Sequence, residues 1–342
     1  MSESADRGDR RAHRQNQAHP SAVARSTATR TGAGDHRGRV RADLALLTVA
    51  IVWGSTFAVQ RVAAAHLGSF LYNGLRFLLG ALALLPFVRR YGYRFSRAEC
   101  RGGTLAGGIL VAAAALQQAG LKYTSAGQAA FITGLYVVLV PLILALGWRE
   151  LPHWSAWIAS LTAVAGLFLL SAQGTLTLSL GDSLELAGAV AWATHVILIG
   201  KLAGRANPLR LSLVQYLVCG LLSTVLGLVF EFHTLGGLAA SWWSVVYGGV
   251  LAVGLGFTLQ VVGQKVAPPT DAAIILGLET VFAAFFGWLF LGEVLSPRQM
   301  LGCGLMFAGM LLAQAPAFVR ARASPPAAVL GPRRDRMEAE PP

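Results

Sequence analysis

The sequence has few charged residues and few cysteines, and both shortages exclude classes of protein. Only 13% of its 342 residues are charged, whereas 55% are hydrophobic and the mean hydropathy is +0.57. An ordinary soluble protein has roughly 25% charged residues, so a soluble enzyme and a nucleic-acid-binding domain are both excluded. The three cysteines, Cys100, Cys219 and Cys303, are far apart and lack the spacing of a metal site or a disulfide framework. We therefore expect no metal, no cofactor and no nucleic-acid partner.

The charges that are present lie mainly in the two tails. Residues 1–41 hold 9 of the 28 Lys and Arg residues, and residues 320–336 hold 5 more. The body between the tails has so few charges that it needs lipid as its solvent. Its polar composition predicts that residues 1–41 form a disordered, basic cytoplasmic tail and that residues 316–342 form a second disordered cytoplasmic tail.

Ten segments of the body are long and apolar enough to cross the hydrocarbon core, which takes about 20 residues of α-helix. They are 43–62, 69–88, 103–121, 126–146, 154–172, 184–203, 209–230, 242–263, 270–291 and 297–315. Gly and Pro clusters separate them, and the connectors are too short to fold as soluble domains. Any chemistry must therefore take place inside the membrane or at its surfaces.

The distribution of Lys and Arg predicts the orientation of these segments. If the amino terminus is cytoplasmic, 24 of the 28 basic residues lie on the cytoplasmic side and 3 on the outer side, and Arg76 alone lies within a segment. Cytoplasmic loops collect Lys and Arg. We expect a multi-pass protein of the cell (plasma) membrane with both termini in the cytoplasm.

The chain also carries an internal repeat. When it is shifted by 143 residues, 12 of the 35 positions from 116 to 150 are identical, including Gln117 with Gln260 and Gly134 with Gly277. A shift of 139 places Trp53 on Trp192. Each copy holds five segments, an odd number, so the second copy must be upside down relative to the first, as in many secondary transporters. The predicted fold is all-α: ten transmembrane helices in two inverted five-helix repeats, residues 42–173 and 182–315.

Several short motifs resemble the EamA branch of the drug/metabolite transporter superfamily. They are Trp53-Gly54-Ser55-Thr56-Phe57, Arg76-Phe77, Tyr123-Thr124-Ser125-Ala126, Pro141, and Gly292-Glu293-xx-Ser296-xx-Gln299-xx-Gly302. The likeness covers residues 43–315. It implies a secondary transporter of small metabolites, many members being exporters of amino acids and related compounds. The chain departs from the pattern at Arg149, where the second copy has Gly.

Polar residues near the middle of the membrane are the candidates for substrate binding, because ionisable groups are costly at that depth. Glu279 lies near mid-membrane, where a carboxyl group that is neutral in one state and charged in another suits proton coupling. Arg76 needs an anion, for which Glu279 and a substrate carboxylate are alternatives. His195 is expected to bond a backbone carbonyl, and Asp271 to cap its helix. The predicted substrate-binding residues are Trp53, Arg76, Gln117, Tyr136, Trp192, His195, Gln215 and Glu279.

These observations predict a secondary transporter that moves a small polar metabolite, such as an amino acid, out of the cell by alternating access. Its expected partners are the substrate, the lipid bilayer and protons; the oligomeric state is left open. The alternatives are a lipid flippase and a membrane enzyme acting on lipid-linked substrates. Such an enzyme needs clustered acids or metal ligands, whereas the acidic residues of the body are scattered and no HExxH motif occurs. No catalytic residue is therefore assigned.

Overall fold

The computed structural model describes residues 32–171, 179–291 and 296–323, and within these ranges all regular structure is helical. The α-helices are α1 Gly32–Ala64, α2 Ser69–Arg90, α3 Arg97–Gly120, α4 Ala126–Gly134, α5 Tyr136–Gly147, α6 Trp154–Ser171, α7 Leu180–Ala203, α8 Pro208–Phe230, α9 Leu238–Tyr247, α10 Thr258–Gln264, α11 Pro269–Leu276, α12 Glu279–Leu291 and α13 Pro297–Ala323. A 3₁₀ turn, Phe232–Gly237, precedes α9, and a π-helix, Gly248–Phe257, joins α9 to α10.

Every predicted span is occupied by helix. Eight helical segments of the described chain are long and apolar enough to cross a membrane. The fifth predicted span lies in α6, whose apolar stretch Trp154–Leu169 is shorter than the other eight, and the tenth lies in α13. The tails 1–31 and 324–342 lie outside the described residues. Residues 32–41 and 316–323, which were predicted to belong to disordered tails, are instead helical and lie in α1 and α13.

Side-chain caps fix where several helices begin. Ser96 and Glu99 form a reciprocal capping box at the start of α3, and Ser179 and Asp182 form another at the start of α7. Each box satisfies backbone N–H groups that have no partner inside the helix. These residues place both helix starts earlier than hydropathy predicts, because a cap is polar and is not part of an apolar run.

The fourth and ninth predicted spans are each interrupted at the same repeat position. α4 ends at Gly134 and α11 ends at Leu276. The N–H of Leu135 then donates to the Ile132 carbonyl at 3.1 Å, and the N–H of Leu278 donates to the Ile275 carbonyl at 3.2 Å, so each bond reaches three residues back instead of four. Such 3₁₀ geometry tightens a helix and often marks a functional hinge. The interruption starts two new helices, α5 and α12, in the interior of the protein.

The two interruptions lie against each other. A Cβ atom on Gly134 would lie 2.9 Å from the Thr280 hydroxyl, and a Cβ on Gly277 would collide with Val137. Val137 and Thr280 are equivalent positions of the two copies, so the two contacts are reciprocal. Reciprocal contacts of this kind are what a two-fold relation between two units produces.

Small residues allow other helices to approach closely. Gly103 and Gly107 of α3 pack on Val214 and Val218 of α8. Such faces support close association of helices in lipid. Residues Gly38–Pro316 form one compact unit by their contacts.

Candidate functional site

An internal cavity lies among helices of both copies. Its empty volume is about 490 Å³, including its opening. Seven of the eight apolar segments contribute to its lining, which consists of Trp53, Thr56, Phe57, Gln60, Arg76, Gln117, Thr133, Tyr136, Trp192, Val196, Ala252, Phe257, Gln260 and Glu279. A concave, mainly apolar pocket with a few convergent polar groups is the usual form of a small-molecule site.

Aromatic rings form one wall of the cavity. The ring centroids of Trp53 and Trp192 are 6.4 Å apart, and Phe257 stacks on Trp192 at 5.7 Å. The Trp53 indole N–H donates to the backbone carbonyl of Ala252 in the π-helix at 3.0 Å. The Trp192 N–H is buried and has no partner among the described residues. The equivalent tryptophans therefore differ: one is anchored, and the other has a free donor at the cavity.

Arg76 is buried at the cavity and is held by neutral groups. Its Nε donates to Asn73 Oδ1 at 2.9 Å and its Nη1 to Gln60 Oε1 at 3.0 Å, while Tyr72 and Phe77 present their ring faces to the guanidinium. Among the described residues, no carboxylate lies within 4.0 Å of it. Glu279 is therefore not its ion-pair partner, and the charge of Arg76 is uncompensated.

Glu279 is the first residue of α12, so its carboxyl group lies at a helix N-terminus inside the protein. Such a terminus favours a negative charge. The side chain is 3% exposed. Tyr136, its equivalent in the first copy, is the first residue of α5 and lies close to Glu279, and its hydroxyl has no hydrogen-bond partner of good geometry among the described residues. The two helix interruptions thus bring these two polar groups to the cavity.

Two equivalent glutamines face the cavity from opposite copies. Gln117 donates to the Thr133 hydroxyl at 3.4 Å. Both polar atoms of the Gln260 side chain are buried without a partner in the described part of the chain. An amide in this condition costs free energy unless a ligand or water satisfies it. Gln260 therefore offers a donor and an acceptor.

Six of the eight predicted site residues line the cavity, and His195 and Gln215 do not. His195 and Gln215 form a side-chain hydrogen bond (Nε2 to Oε1, 3.0 Å), and both are fully buried. The partner of His195 is thus a side-chain amide and not the expected backbone carbonyl. The His195 ring packs edge-on against Trp192 and Phe257. The hydrogen-bonded His195 and Gln215 therefore support the aromatic wall on the side away from the cavity.

Several cavity residues were missed by the sequence analysis. One face of α1 lines the cavity with the predicted Trp53 and with three residues that were not predicted, Thr56, Phe57 and Gln60. Their spacing, i, i+3, i+4 and i+7, places residues on one side of a helix. That spacing, combined with Trp53 as a starting point, was a usable signal. Gln260 was detectable as the repeat equivalent of Gln117.

Asp271 does not cap its helix, contrary to the sequence-based expectation. The cap position is Pro268, with no side-chain hydrogen bond, and Asp271 instead accepts from Arg39 Nη2 of α1 at 2.7 Å. Arg39 also pairs with Asp43 at 3.0 Å. Charged groups therefore link the start of α1 to the start of α11.

The comparisons with known proteins agree with this architecture. The model of the EamA-like transporter family matches residues 40–172 and 179–314. An uncharacterized transporter of Archaeoglobus fulgidus is 31% identical over 282 residues, which are 80% of this chain and 86% of that protein. The threonine/homoserine exporter RhtA of Escherichia coli is 27% identical over 254 residues, 70% of this chain and 79% of that protein.

A protein of known crystal structure supports the fold alone. It is 20% identical, with a TM-score of 0.69, and the match covers 84% of this chain and all of that chain. The family match extends over both repeats and nearly the whole described body. The chain therefore belongs to the EamA-like transporter family, a family of transporters and not of enzymes, and is a multi-pass membrane protein.

Proposed function

We propose that this protein is a secondary transporter that exports a small zwitterionic metabolite, an amino acid or a related compound, by alternating access. The observation that carries the proposal is a cavity holding one uncompensated guanidinium, Arg76, and one carboxyl group, Glu279, both 3% exposed. A guanidinium and a carboxyl group at one site match a molecule that carries both an α-carboxylate and an α-ammonium group, because the ammonium group would stabilise the ionised form of Glu279.

The cavity also offers contacts for the rest of such a ligand. Arg76 presents a guanidinium, whose planar donors fit a carboxylate. Glu279 accepts from an ammonium group. Trp192 and Gln260 supply the unpaired donors and acceptor for a hydroxyl or amide side chain. The aromatic wall excludes water from the remainder.

We place this site between ten spans arranged as two inverted repeats. The proposal is supported by the repeated interruption of the fourth and ninth spans and by the reciprocal contacts of Gly134 and Gly277. Interrupted helices near the midplane are typical of transporter binding sites. Inverted halves can exchange conformations, which gives one opening on each side of the membrane. The Lys and Arg distribution favours a plasma-membrane protein with cytoplasmic termini.

The substrate class is supported by one named relative. RhtA is named a threonine/homoserine exporter, and it matches 70% of this chain. Threonine is therefore the first probe to test.

The test is counterflow of labelled threonine in proteoliposomes that contain the purified protein. We expect wild-type liposomes loaded with unlabelled threonine to take up label transiently, and Arg76→Gln liposomes to lose this uptake. A parallel assay follows the movement of a fluorescent phospholipid between leaflets. Lipid movement without exchange of any of the common amino acids would contradict the proposal and favour the flippase alternative.

A further inference from the structure

Glu185 is a fully buried carboxyl group in the second turn of α7 and does not line the cavity. Its Oε2 accepts a hydrogen bond from the Thr133 hydroxyl of α4 at 3.2 Å, and its Oε1 is buried without a partner among the described residues. No Lys, Arg or His of the described chain lies within 4.0 Å of it. As a carboxylate it would be an unpaired buried charge, which is strongly unfavourable, so this conformation holds it as the neutral acid.

One hydroxyl connects Glu185 to the cavity. Thr133 donates to Glu185 and also receives the amide hydrogen of Gln117 at 3.4 Å. Thr133 and Gln117 both line the cavity. A change in the cavity at these two residues therefore reaches Glu185 through two hydrogen bonds.

Among the described residues, the groups that face Glu185 carry no positive charge. On its own helix, Asp182 lies one turn earlier, 7% exposed, where it caps α7 and accepts from Thr124 at 3.0 Å. From α3, Gly120 packs directly on the carboxyl group, and a Cβ there would lie 2.7 Å from Oε1. The titratable residues of the following turn, Lys122 and Tyr123, are exposed.

The equivalent position in the other copy is apolar. Leu46 corresponds to Glu185, Gly263 corresponds to Gly120, and a Cβ on Gly263 would lie 2.7 Å from Leu46 Cγ. The same contact between the copies is thus made twice, once by a leucine and once by a carboxyl group. A simple packing role does not require a carboxyl group, because leucine performs it at the first site.

We infer that Glu185 is a proton-binding site coupled to the conformational cycle. The acid is protonated while the contact between α3, α4 and α7 is closed. When this contact opens, water reaches the group, the O–H bond breaks and the proton passes to water. The inference rests on the proposed alternating access, and it adds a proton site distinct from Glu279, which faces the substrate.

The first experiment measures the proton itself. Infrared difference spectra of the full-length protein in lipid are recorded between low and high pH, where the C=O stretch of protonated carboxyl groups disappears on ionisation. We expect Glu185→Gln to remove one component of this band, while Glu279→Gln retains that component. Glu150→Gln is the matched control, because Glu150 is 59% exposed and paired with Lys201. A Glu185→Gln spectrum identical to wild type would overturn the inference.

The second experiment measures coupling with threonine in proteoliposomes. A gradient of one pH unit drives about a tenfold accumulation for each coupled proton. We expect wild type to reach an accumulation of this order, and Glu185→Gln to continue threonine exchange but to lose the accumulation. Full accumulation by Glu185→Gln would overturn the inference.

Neither a misfolded Glu185→Gln variant nor a wild type that is inactive with threonine leaves the inference untested. If Glu185→Gln does not fold, Glu185→Leu replaces it, since leucine occupies the equivalent position, and the same two results are required. If wild type does not exchange threonine, threonine is not its substrate, but the infrared spectra still decide whether Glu185 binds a proton.

Discussion

At the scale of single residues, the position of Arg76 is unusual because its partners among the described residues are all neutral. Asn73 and Gln60 orient the guanidinium without compensating its charge. Arginine in a protein does not lose its proton, so the charge persists in the membrane. An anionic ligand is the partner that this arrangement lacks.

Arg76→Gln should weaken binding of threonine more than binding of threoninamide, which has no carboxylate. Hydrogen bonds to charged groups contribute about 1.5–3 kcal/mol, so we expect the Kd for threonine to rise roughly 10- to 150-fold. Titration calorimetry of the detergent-purified variants measures both ligands. Arg298→Gln is the control, since Arg298 is exposed and lies over the ring of Phe168. An equal loss for both ligands would assign Arg76 to packing alone.

Glu279→Gln should remove the loss of threonine affinity that accompanies a fall in pH. In the wild type, lowering the pH protonates Glu279, and its attraction for the ligand ammonium group is lost, so affinity should fall with falling pH. The variant should bind weakly at every pH, as the wild type does at low pH. Calorimetric titrations across the pH range test this, with Glu150→Gln expected to keep the wild-type profile. If the threonine affinity of the variant still decreases as the pH is lowered, Glu279 is not part of the site.

Arg149→Gly should stabilise the protein. Arg149 has φ 55°, in the left-handed region, just after α5 ends. A residue with a Cβ costs about 1–2 kcal/mol there and glycine does not. We expect a higher melting temperature in detergent with unchanged threonine binding. Arg149 is also where the chain departs from the family pattern and its second copy has Gly292, so the departure has a physical cost.

At the scale of helices, close packing depends on glycines, whose lack of a Cβ atom lets another helix approach. Gly107 and Gly108 are adjacent in α3, but only Gly107 faces another helix. A Cβ on Gly107 would lie 2.7 Å from Val218 Cβ and 2.8 Å from the Gln215 carbonyl oxygen, whereas a Cβ on Gly108 meets nothing within 4 Å.

Gly107→Ala should therefore destabilise the protein, by about 1–3 kcal/mol as for other overpacked cores. Gly108→Ala makes the same chemical change toward open space, and we expect it to be neutral or to stabilise α3 by up to about 1 kcal/mol. Unfolding in mild detergent with increasing sodium dodecyl sulfate compares the two. A gain in both variants would show that helix propensity outweighs packing, and similar losses in both would contradict the assignment of Gly108 to open space.

The sequence predicted where helices occur better than it predicted their internal geometry. The second predicted span, 69–88, agrees closely with α2, Ser69–Arg90, because an apolar run reports directly on contact with lipid. Neither the interruption at Leu278 nor the π-helix Gly248–Phe257 was predicted. Both lie within continuous apolar runs, and a change of helical pitch leaves the apolar character of the run unchanged.

Only part of the candidate site was predictable from the sequence. Arg76 and Glu279 were found because charge is rare in apolar segments. Glu185 was missed because the predicted span began at residue 184, which put it at a membrane surface, whereas α7 begins at Leu180. The aromatic wall needed the distance between Trp53 and Trp192, which only the fold supplies.

At the scale of the whole molecule, the predicted topology can be checked with residues on opposite sides of the membrane. Native Cys100 is exposed near the start of α3. A cysteine replacing Tyr123, exposed just after α3 ends, should lie on the other side. In intact cells, a membrane-impermeant maleimide should label Tyr123→Cys in a Cys100→Ser background, and should label Cys100 only after permeabilisation. The reverse pattern would invert the proposed orientation.

The anchored indole of Trp53 has a consequence for how the chain can evolve. A carrier assembled from two identical subunits must place the same tryptophan environment in both, so every mutation is made twice. Here the two copies are fused in one gene. The π-helix binds Trp53, whereas its equivalent, Trp192, has no partner for its N–H among the described residues. Selection can therefore act on one tryptophan without disturbing the other, which lets the inward and outward halves of a transport cycle acquire unequal energies.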